Sequence, residues 1–215
     1  MRMKTPLLAG ALCLAYAAPA YACNFYFAST FMRIPARPSF GAGVEANFAD
    51  PASFAFSGDV AMRLGNNMVV QPAIGVCSSD DETDPFFGAG VAYKLTQSAT
   101  MALNLQSGIS YFSLDGGNIM TIPIGAAASF AGSGTMGFYA GASLWWTQVD
   151  PDDGDSSSET DPVLFGGLQS RSGSLGWSLG GQLYMGEDTE FALVAGISMN
   201  SGASAIRHIG QLFRK

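Results

Sequence analysis

The sequence is poor in charge, has a single histidine, and contains no hydrophobic helical span beyond its N-terminus. Charged residues make up 13% of the 215 residues, against about 25% in ordinary soluble domains. Basic residues are outnumbered, ten against seventeen acidic ones, which disfavours nucleic acid as a partner because phosphate backbones attract positive surfaces. A chain this apolar must either bury its surface in a large core or expose it to lipid.

The shortage of histidine limits the chemistry that the chain could perform. His208 is the only one, and it lies beyond the last strand that the pattern predicts. Catalysis by a Ser–His or Asp–His arrangement would therefore lack its general base. The pairs Gly41/Gly43 and Gly88/Gly90 are not surrounded by the strand–helix–strand unit of a dinucleotide site. We expect neither an enzyme nor a bound cofactor.

Residues 135–149 alternate strictly between two kinds of side chain. One face carries Met136, Phe138, Ala140, Ala142, Leu144 and Trp146, and the other carries Thr135, Gly137, Tyr139, Gly141, Ser143, Trp145 and Thr147. A period of two indicates an extended strand. The segment also reaches the ~9–11 residues that a tilted strand needs to cross a bilayer. The bulky apolar face is typical of a barrel strand that faces lipid.

The same alternation predicts ten strands along the chain. They cover residues 40–49, 53–64, 68–77, 86–95, 101–113, 119–130, 135–149, 163–170, 175–185 and 191–200. The facing of the eighth strand is not assigned, and Pro72 predicts a local break in the third. An even number of strands places both termini on one side of the membrane, with eight or twelve strands as alternatives to ten.

Tight turns alternate with longer connections in this prediction. The longest, residues 78–85 and 150–162, are acidic and are expected to be exposed, the second of them mobile. Nearly all acidic residues fall at this end of the strands, and the basic residues from Arg33 onward fall at the other. Longer loops face the outside of the cell in bacterial barrels. Aromatic residues near both strand ends, Trp145 and Trp146 among them, would form two girdles.

Residues 40–200 resemble the small bacterial outer-membrane β-barrel proteins, which include the OmpA-type and opacity-type barrels. The resemblance rests on repeated strand architecture, as in residues 40–48 and 135–146, and not on a signature motif. It implies an all-β antiparallel transmembrane barrel in the outer membrane, with lipid, lipopolysaccharide and the barrel assembly machinery as partners. The sequence His208-x-Gly210-x-x-Phe213 is similar to the C-terminal signal of such barrels, although Arg214 and Lys215 follow it.

The regions outside the barrel are short. Residues 1–22 are predicted to be a signal peptide, with Arg2 and Lys4 before an apolar stretch and a small-x-small site at residues 20–22. An uncleaved anchor and lipidation of Cys23 are the alternatives. Residues 23–39 are predicted to form a periplasmic lead-in or a plug, and residues 201–215 a periplasmic C-terminal tail or a closing strand. Cleavage would leave Cys23 and Cys77, which we expect to be unpaired because the strand assignment places them near opposite barrel ends.

The candidate site residues fall into two groups. Glu45 and Asp59 face the lumen on adjacent strands and are expected to lie nearly opposite each other, with Arg63 and Lys94 as the nearest inward cations. They predict either a structural salt-bridge network or a conducting site. The second group comprises carboxylates that could hold a divalent cation through oxygen ligands, or form merely solvated acidic loops: Asp80, Asp81, Glu82, Asp84, Asp152, Asp153 and Asp155.

Two functional classes follow. The first is a structural or surface-interaction barrel with acidic extracellular loops, whose partner outside the cell the sequence does not identify. The alternative is a narrow small-solute channel with a polar lumen, lined by Glu45, Asn47, Asp59, Arg63, Gln71, Lys94, Asn104, Gln106 and Gln182. A ten-strand barrel is barely wider than one filled by its own side chains, which favours the first. A soluble β-sandwich conflicts with the large outward apolar residues.

Overall fold

The structure is a computed structural model that describes residues 39–47, 53–79, 82–114, 116–132, 135–152, 154–172, 175–186 and 189–200. It contains ten strands: β1 Ser39–Asn47, β2 Ser53–Leu64, β3 Met68–Ser79, β4 Glu82–Gln97, β5 Met101–Leu114, β6 Gly117–Ala131, β7 Met136–Pro151, β8 Ser157–Ser172, β9 Leu175–Met185 and β10 Thr189–Asn200. The predicted signal peptide, nearly all of the predicted lead-in and the C-terminal tail lie outside the described residues. Among the described residues, no helix is long and apolar enough to cross a membrane.

The ten strands form one closed antiparallel barrel. Each strand pairs with its neighbours in sequence, and β1 pairs with β10 to close the ring, with Phe40 opposite Met199 and Ala46 opposite Leu193. Closure leaves no open sheet edge in the barrel wall, as a sheet immersed in lipid requires. The predicted fold class and strand number are therefore confirmed.

Side chains alternate between the outside and the inside of the wall. Outward residues are apolar and exposed, as Ile74, Ile124 and Leu144 are, with 71%, 63% and 56% of their surfaces accessible. Inward neighbours such as Val69 and Val163 are fully buried. The eighth strand, whose facing the sequence left open, follows the same rule: Asp161, Val163 and Phe165 point inward, whereas Leu164 and Leu168 are exposed.

The two long acidic loops predicted from the sequence are wrong. Strand β3 runs to Ser79 and β4 begins at Glu82, while β7 runs to Pro151 and β8 begins at Ser157. In the second hairpin, Trp146 pairs with Thr160 and Thr147 with Glu159. Backbone pairing continues into this polar sequence because above the apolar belt neither face needs a hydrophobic side chain. Only residues 80–81 and 152–156 separate the strands.

A repeated tetrapeptide marks the place where these hairpins rise from the barrel wall. Glu-Thr-Asp-Pro occurs at residues 82–85 and again at residues 159–162, at the start of β4 and early in β8. Directly after each proline the strand begins to pair with its second neighbour as well. Phe86 of β4 pairs with Phe112 of β5, and Val163 of β8 pairs with Tyr184 of β9. Because proline has no backbone N–H to donate, it suits the position at which one edge of a strand loses its neighbour.

Prolines within the wall interrupt single ladders. The β2–β3 pairing passes from Asp59–Ala73 to Met62–Val70, so the interruption falls at Pro72, which remains opposite Ala89 on β4. The break predicted at Pro72 is thus present. Pro123 in β6 produces a second interruption, between Ser107–Ile124 and Ser110–Thr121 of the β5–β6 pairing.

Candidate functional site

The candidate site is the barrel interior, where polar and aromatic side chains of several strands meet. We distinguish two groups. The Glu45 cluster consists of Glu45 on β1, Ser143 and Trp145 on β7, and Gln182 and Tyr184 on β9. The Asp59 pair consists of Asp59 on β2 and Gln71 on β3. All seven side chains are buried.

The Glu45 cluster connects strands that are not neighbours. The Tyr184 hydroxyl lies 3.3 Å from Glu45 Oε1 and 3.0 Å from Gln182 Oε1, so its proton is shared between a carboxylate and an amide. The Tyr184 and Trp145 rings pack edge to face with their centroids 5.4 Å apart, which is a favoured aromatic geometry. The Trp145 indole donates to Ser143 Oγ at 2.7 Å. The cluster thereby links β1, β7 and β9 inside the lumen.

The Asp59 pair is separate from this cluster. Asp59 lies opposite Gly41 and Glu45 opposite Ala55, so the two carboxylates are four residues apart in register, or ~13 Å along the strand. The expectation that they lie nearly opposite each other is therefore wrong. The Asp59 carboxylate lies over Gly41, where a side chain would collide with it, and it hydrogen-bonds to Gln71.

Arg63 and Lys94, which were predicted to be the cations nearest to these carboxylates, lie elsewhere in the barrel. The exposed Arg63 guanidinium donates hydrogen bonds to the Gly65 carbonyl at 2.7 Å and to Asn66 Oδ1 at 3.1 Å. These bonds stabilise the β2–β3 turn. The backbone N–H of Lys94 donates to the Asn67 carbonyl at 2.7 Å. Lys94 also adjoins a register shift in β4. Both residues lie at the tight-turn end, because short turns join β2 to β3 and β4 to β5 there. Arg63 thus braces a turn and does not join a lumen salt-bridge network.

The predicted cation-binding carboxylates are spread along strands and loops. Asp80, Asp81 and Asp153 lie outside the described residues, and Glu82 and Asp84 belong to β4. Within the described ranges, no three His, Cys, Asp or Glu side chains are placed to hold a metal ion. Divalent-cation binding remains a prediction for the loops as a whole.

Asp150 lies in the part of the β7–β8 hairpin beyond the apolar belt. The Gln148 side-chain amide donates to its two carboxylate oxygens at 2.9 and 3.0 Å. Hydrogen bonds from Ser156 and Gln148 lower the pKa of this exposed carboxyl, because they favour its charged form. The end of the hairpin therefore keeps its negative charge under mildly acidic conditions.

Cys77 differs from the prediction that the cysteines are unpaired, because it is disulfide-bonded. Its side chain is on the inner face of β3, only 2% exposed, between Ala55 on β2 and Asp84 on β4. The partner of Cys77 lies outside the described residues.

The interior also contains buried apolar side chains. Buried groups pack in three clusters, around Phe86 and Phe112, around Tyr139 and Phe165, and around Trp145 and Tyr184. Several rings lie over a glycine of another strand: Phe86 covers Gly75, Phe165 covers Gly141, and Tyr139 reaches over Gly167 and Gly180. The glycines thus provide room for rings that lie flat along the wall.

Sequence reasoning missed three residues of this interior. Trp145 was placed in an aromatic girdle, although its position in the alternation puts it inside, and it is 5% exposed. Asp161 was assigned to a solvated loop, whereas it is buried opposite Trp145. The repeated Glu-Thr-Asp-Pro could have indicated a strand start at both positions. No pattern in the sequence indicated that Tyr184 would reach Glu45.

Comparison by sequence with family models and with curated proteins finds no match. By structure, the chain is similar to the transport unit of the autotransporter AIDA-I from Escherichia coli, with a TM-score of 0.50 and 10% identity, covering 87% of this chain and 97% of that one. It is also similar to the N-terminal β-barrel domain of OprF from Pseudomonas aeruginosa, with a TM-score of 0.37 and 11% identity, covering 76% and 96%. It is similar as well to the Neisserial surface protein NspA, with a TM-score of 0.38 and 14% identity, covering 76% of this chain and 95% of that one. The chain has the fold of the small bacterial outer-membrane β-barrel proteins.

Proposed function

We propose that this protein is an integral barrel of the bacterial outer membrane with a structural or surface-interaction role. The outward belt of large apolar side chains, which includes Phe54, Phe87, Leu144 and Ile197, is exposed all around the closed wall. In water such a surface would be strongly unfavourable, whereas in a bilayer it matches the acyl chains. The proposed surroundings are outer-membrane lipid and lipopolysaccharide, with insertion by the barrel assembly machinery.

The observation that carries the choice of a structural role over a channel is the packed interior. Tyr139, Tyr184, Val69 and Val163 are all less than 2% exposed although they point into the lumen. A water-filled pore would leave inward side chains accessible, as in wide barrels. An enzymatic role forms no part of the proposal, since the only histidine of the chain is His208, which lies outside the described residues.

Recordings in planar bilayers test this choice. The purified, folded protein should give no discrete conductance steps at neutral pH, while a general porin inserted by the same protocol does. A channel function is favoured by one observation, the buried polar inner side chains such as Gln71, Asn104 and Gln182. Reproducible ion-selective steps that change in Glu45→Gln would establish that alternative and contradict the proposed closed barrel.

The surface role rests on the acidic hairpins, which we place outside the cell. Asp150 and Glu159 belong to the β7–β8 hairpin, whereas Arg63 and Lys94 lie at the opposite end of the barrel. A negatively charged rim repels anionic lipopolysaccharide unless cations bridge the two. A basic or cation-bridged ligand is therefore the chemistry that this rim would accept.

An epitope tag inserted after Gly154 should be accessible to antibody on intact cells. Gly154 is exposed and lies in the connection of residues 152–156 with a φ of 147°, so an insertion there breaks no strand pairing. A tag after Asn66, in the β2–β3 turn at the other end, serves as the control and should be reached only after the outer membrane is opened. The reverse pattern of accessibility would invert the proposed topology.

A further inference from the structure

The β7–β8 hairpin rises above its neighbour β9 and leaves one edge of β8 without a strand beside it. Strand β8 pairs with β7 from its first residue, Ser157. Its pairing with β9 begins only at Val163, opposite Tyr184, and β9 ends at Met185 before the chain turns back into β10. Among the described residues, therefore, no strand pairs with the first part of β8 on the side away from β7.

A hydrogen bond at the rim identifies the backbone groups that face this side. The Asp152 N–H donates to the Gly116 carbonyl at 2.9 Å, in register with the β6–β7 pairing. The even-numbered residues of β7 therefore direct their backbone groups to β6 and the odd-numbered ones to β8. Odd-numbered residues of β7 pair with odd-numbered residues of β8. Ser158 and Thr160 consequently direct their N–H and C=O groups away from β7, and we call these groups the open edge.

The open edge is held in an extended conformation before any partner arrives. Ser158 lies opposite Gln148 and Thr160 opposite Trp146 on β7, and β7 in turn pairs with β6 along this height. Both edge residues are exposed. Backbone groups displayed in this way are a template on which another extended chain can pair, and a preformed edge avoids the entropy cost of ordering it. Pro162, the next residue of the same parity, has no N–H to donate and ends the edge.

The charge of the hairpin selects the kind of chain that would pair there. Residues 150–162 contain six acidic residues and no lysine or arginine. Glu159 lies between the two edge residues on the inner face and is half-buried. In an added strand the residue opposite Glu159 would share its face at about 4.5–5.5 Å, where an opposite charge is favourable and a like charge is not.

We propose that the open edge binds an extended basic peptide segment of another protein by strand addition. Pairing with the backbone of Ser158 and Thr160 provides affinity, and a lysine or arginine opposite Glu159 provides selectivity. A second copy of this chain is less suitable, since its corresponding strand start, Glu-Thr-Asp-Pro at residues 82–85, is acidic as well. The inference deepens the proposed surface role and rests on it for the side of the membrane from which the partner comes.

Peptide binding to the folded, detergent-solubilised barrel tests the edge. The probe is a fluorescently labelled octapeptide of alternating lysine and threonine, followed by anisotropy. We expect saturable binding that weakens as salt screens the charges. Thr160→Pro should weaken it by roughly tenfold or more, because the ring removes a donor and blocks the approach of the added strand. Thr160→Val keeps the N–H and should bind within about twofold of the wild type. Both variants should keep folded gel migration, since the Thr160 N–H faces away from β7.

Two further peptides separate backbone pairing from simple charge attraction. The first has its backbone nitrogens methylated, keeps its charge, and should lose binding because it cannot donate to the edge carbonyls. The second has glutamate in place of lysine and should not bind. Absence of binding by the lysine peptide, equal binding by its methylated form, or equal affinities of the Thr160→Pro and Thr160→Val variants would overturn the proposal. Self-association of the wild type without peptide, abolished by Thr160→Pro, would make a second copy the occupant and overturn it too.

The same peptide on intact cells distinguishes this inference from the proposed function. Binding to the purified barrel does not depend on its orientation in the membrane, so a failure there contradicts strand addition and leaves the membrane barrel unaffected. We expect labelling of intact cells that produce the wild type and about tenfold less labelling with Thr160→Pro. Labelling only after the outer membrane is opened would support the open edge and contradict the placement of the hairpins outside the cell.

Discussion

A single arginine in place of Leu144 should cost the folded barrel about 2–4 kcal/mol of stability in a lipid bilayer. Leu144 lies at the middle of β7, points outward, and is flanked by Ile124 on β6 and Pro162 on β8. At mid-depth of the bilayer a guanidinium has no water and no partner in the surrounding acyl chains, which makes its burial unfavourable. The free energy of unfolding is measured by urea titration of the protein folded into lipid vesicles.

Two control variants separate the effect of charge from the effect of position. Leu144→Met keeps the side chain apolar and should change the free energy of unfolding by less than about 1.5 kcal/mol. Ser158→Arg places the same charge on the outer face of β8, opposite Gln148 and beyond the belt, and should cost about 0–1 kcal/mol. Equal costs for arginine at positions 144 and 158 would mean that the outer face does not lie in lipid as described.

Gly167→Ala should destabilise the barrel by about 1–3 kcal/mol through overpacking. A Cβ atom at this inner position of β8 would press on the Leu179 carbonyl oxygen, and would lie 2.5 Å from Gly180 Cα and 2.9 Å from the Tyr139 hydroxyl. Two of these three contacts are with backbone, so the sheet itself would have to spread. The effect is measured by urea titration in the same vesicles.

A matched glycine on the same inner face provides the comparison. At Gly43 the nearest atom to a new Cβ would be Ser57 Oγ at 3.3 Å, which can rotate away, so Gly43→Ala should stay within about 0.5 kcal/mol. Tyr139→Phe combined with Gly167→Ala should recover little, since the backbone contacts remain. If the double variant regained full stability, the hydroxyl and not the sheet would be the source of strain.

The sequence predicted the part of the fold that depends on alternation. Period-two patterns such as residues 135–149 indicate a strand and assign its faces together, because every second side chain must meet the same surroundings. The tight turn at residues 65–67 was equally readable, since Gly65 adopts the positive φ of 65° that such a turn requires. These features are local, and local chemistry suffices to predict them.

The interior could not be predicted to the same degree, because it depends on register and on long-range contact. Glu45 was correctly read as inward, yet its position relative to Asp59 follows from the offset of β1 against β2, which no pattern in either strand specifies. The polar part of β8 before Pro162 lacks an apolar face, so the sequence prediction began the strand at residue 163 instead of Ser157. The disulfide of Cys77 is a third case, since a disulfide pairing depends on long-range contact and not on a local pattern.

The central claim is that one face of each strand meets lipid while the other packs inside a closed barrel, and two adjacent tryptophans test it most directly. Trp146 is on the outer face, and Trp145 is buried inside and donates to Ser143. Two single-tryptophan proteins are made from the three tryptophans of the chain, Trp145→Phe with Trp177→Phe and Trp146→Phe with Trp177→Phe. Each is folded into vesicles that contain brominated acyl chains.

We predict strong quenching by bromine of the protein that retains Trp146, and little quenching of the protein that retains Trp145. Trp145 should also be protected from acrylamide in the water phase, because the packed interior excludes both quenchers. Equal quenching of the two by brominated lipid, or stronger quenching of Trp145, would contradict the closed membrane barrel described here.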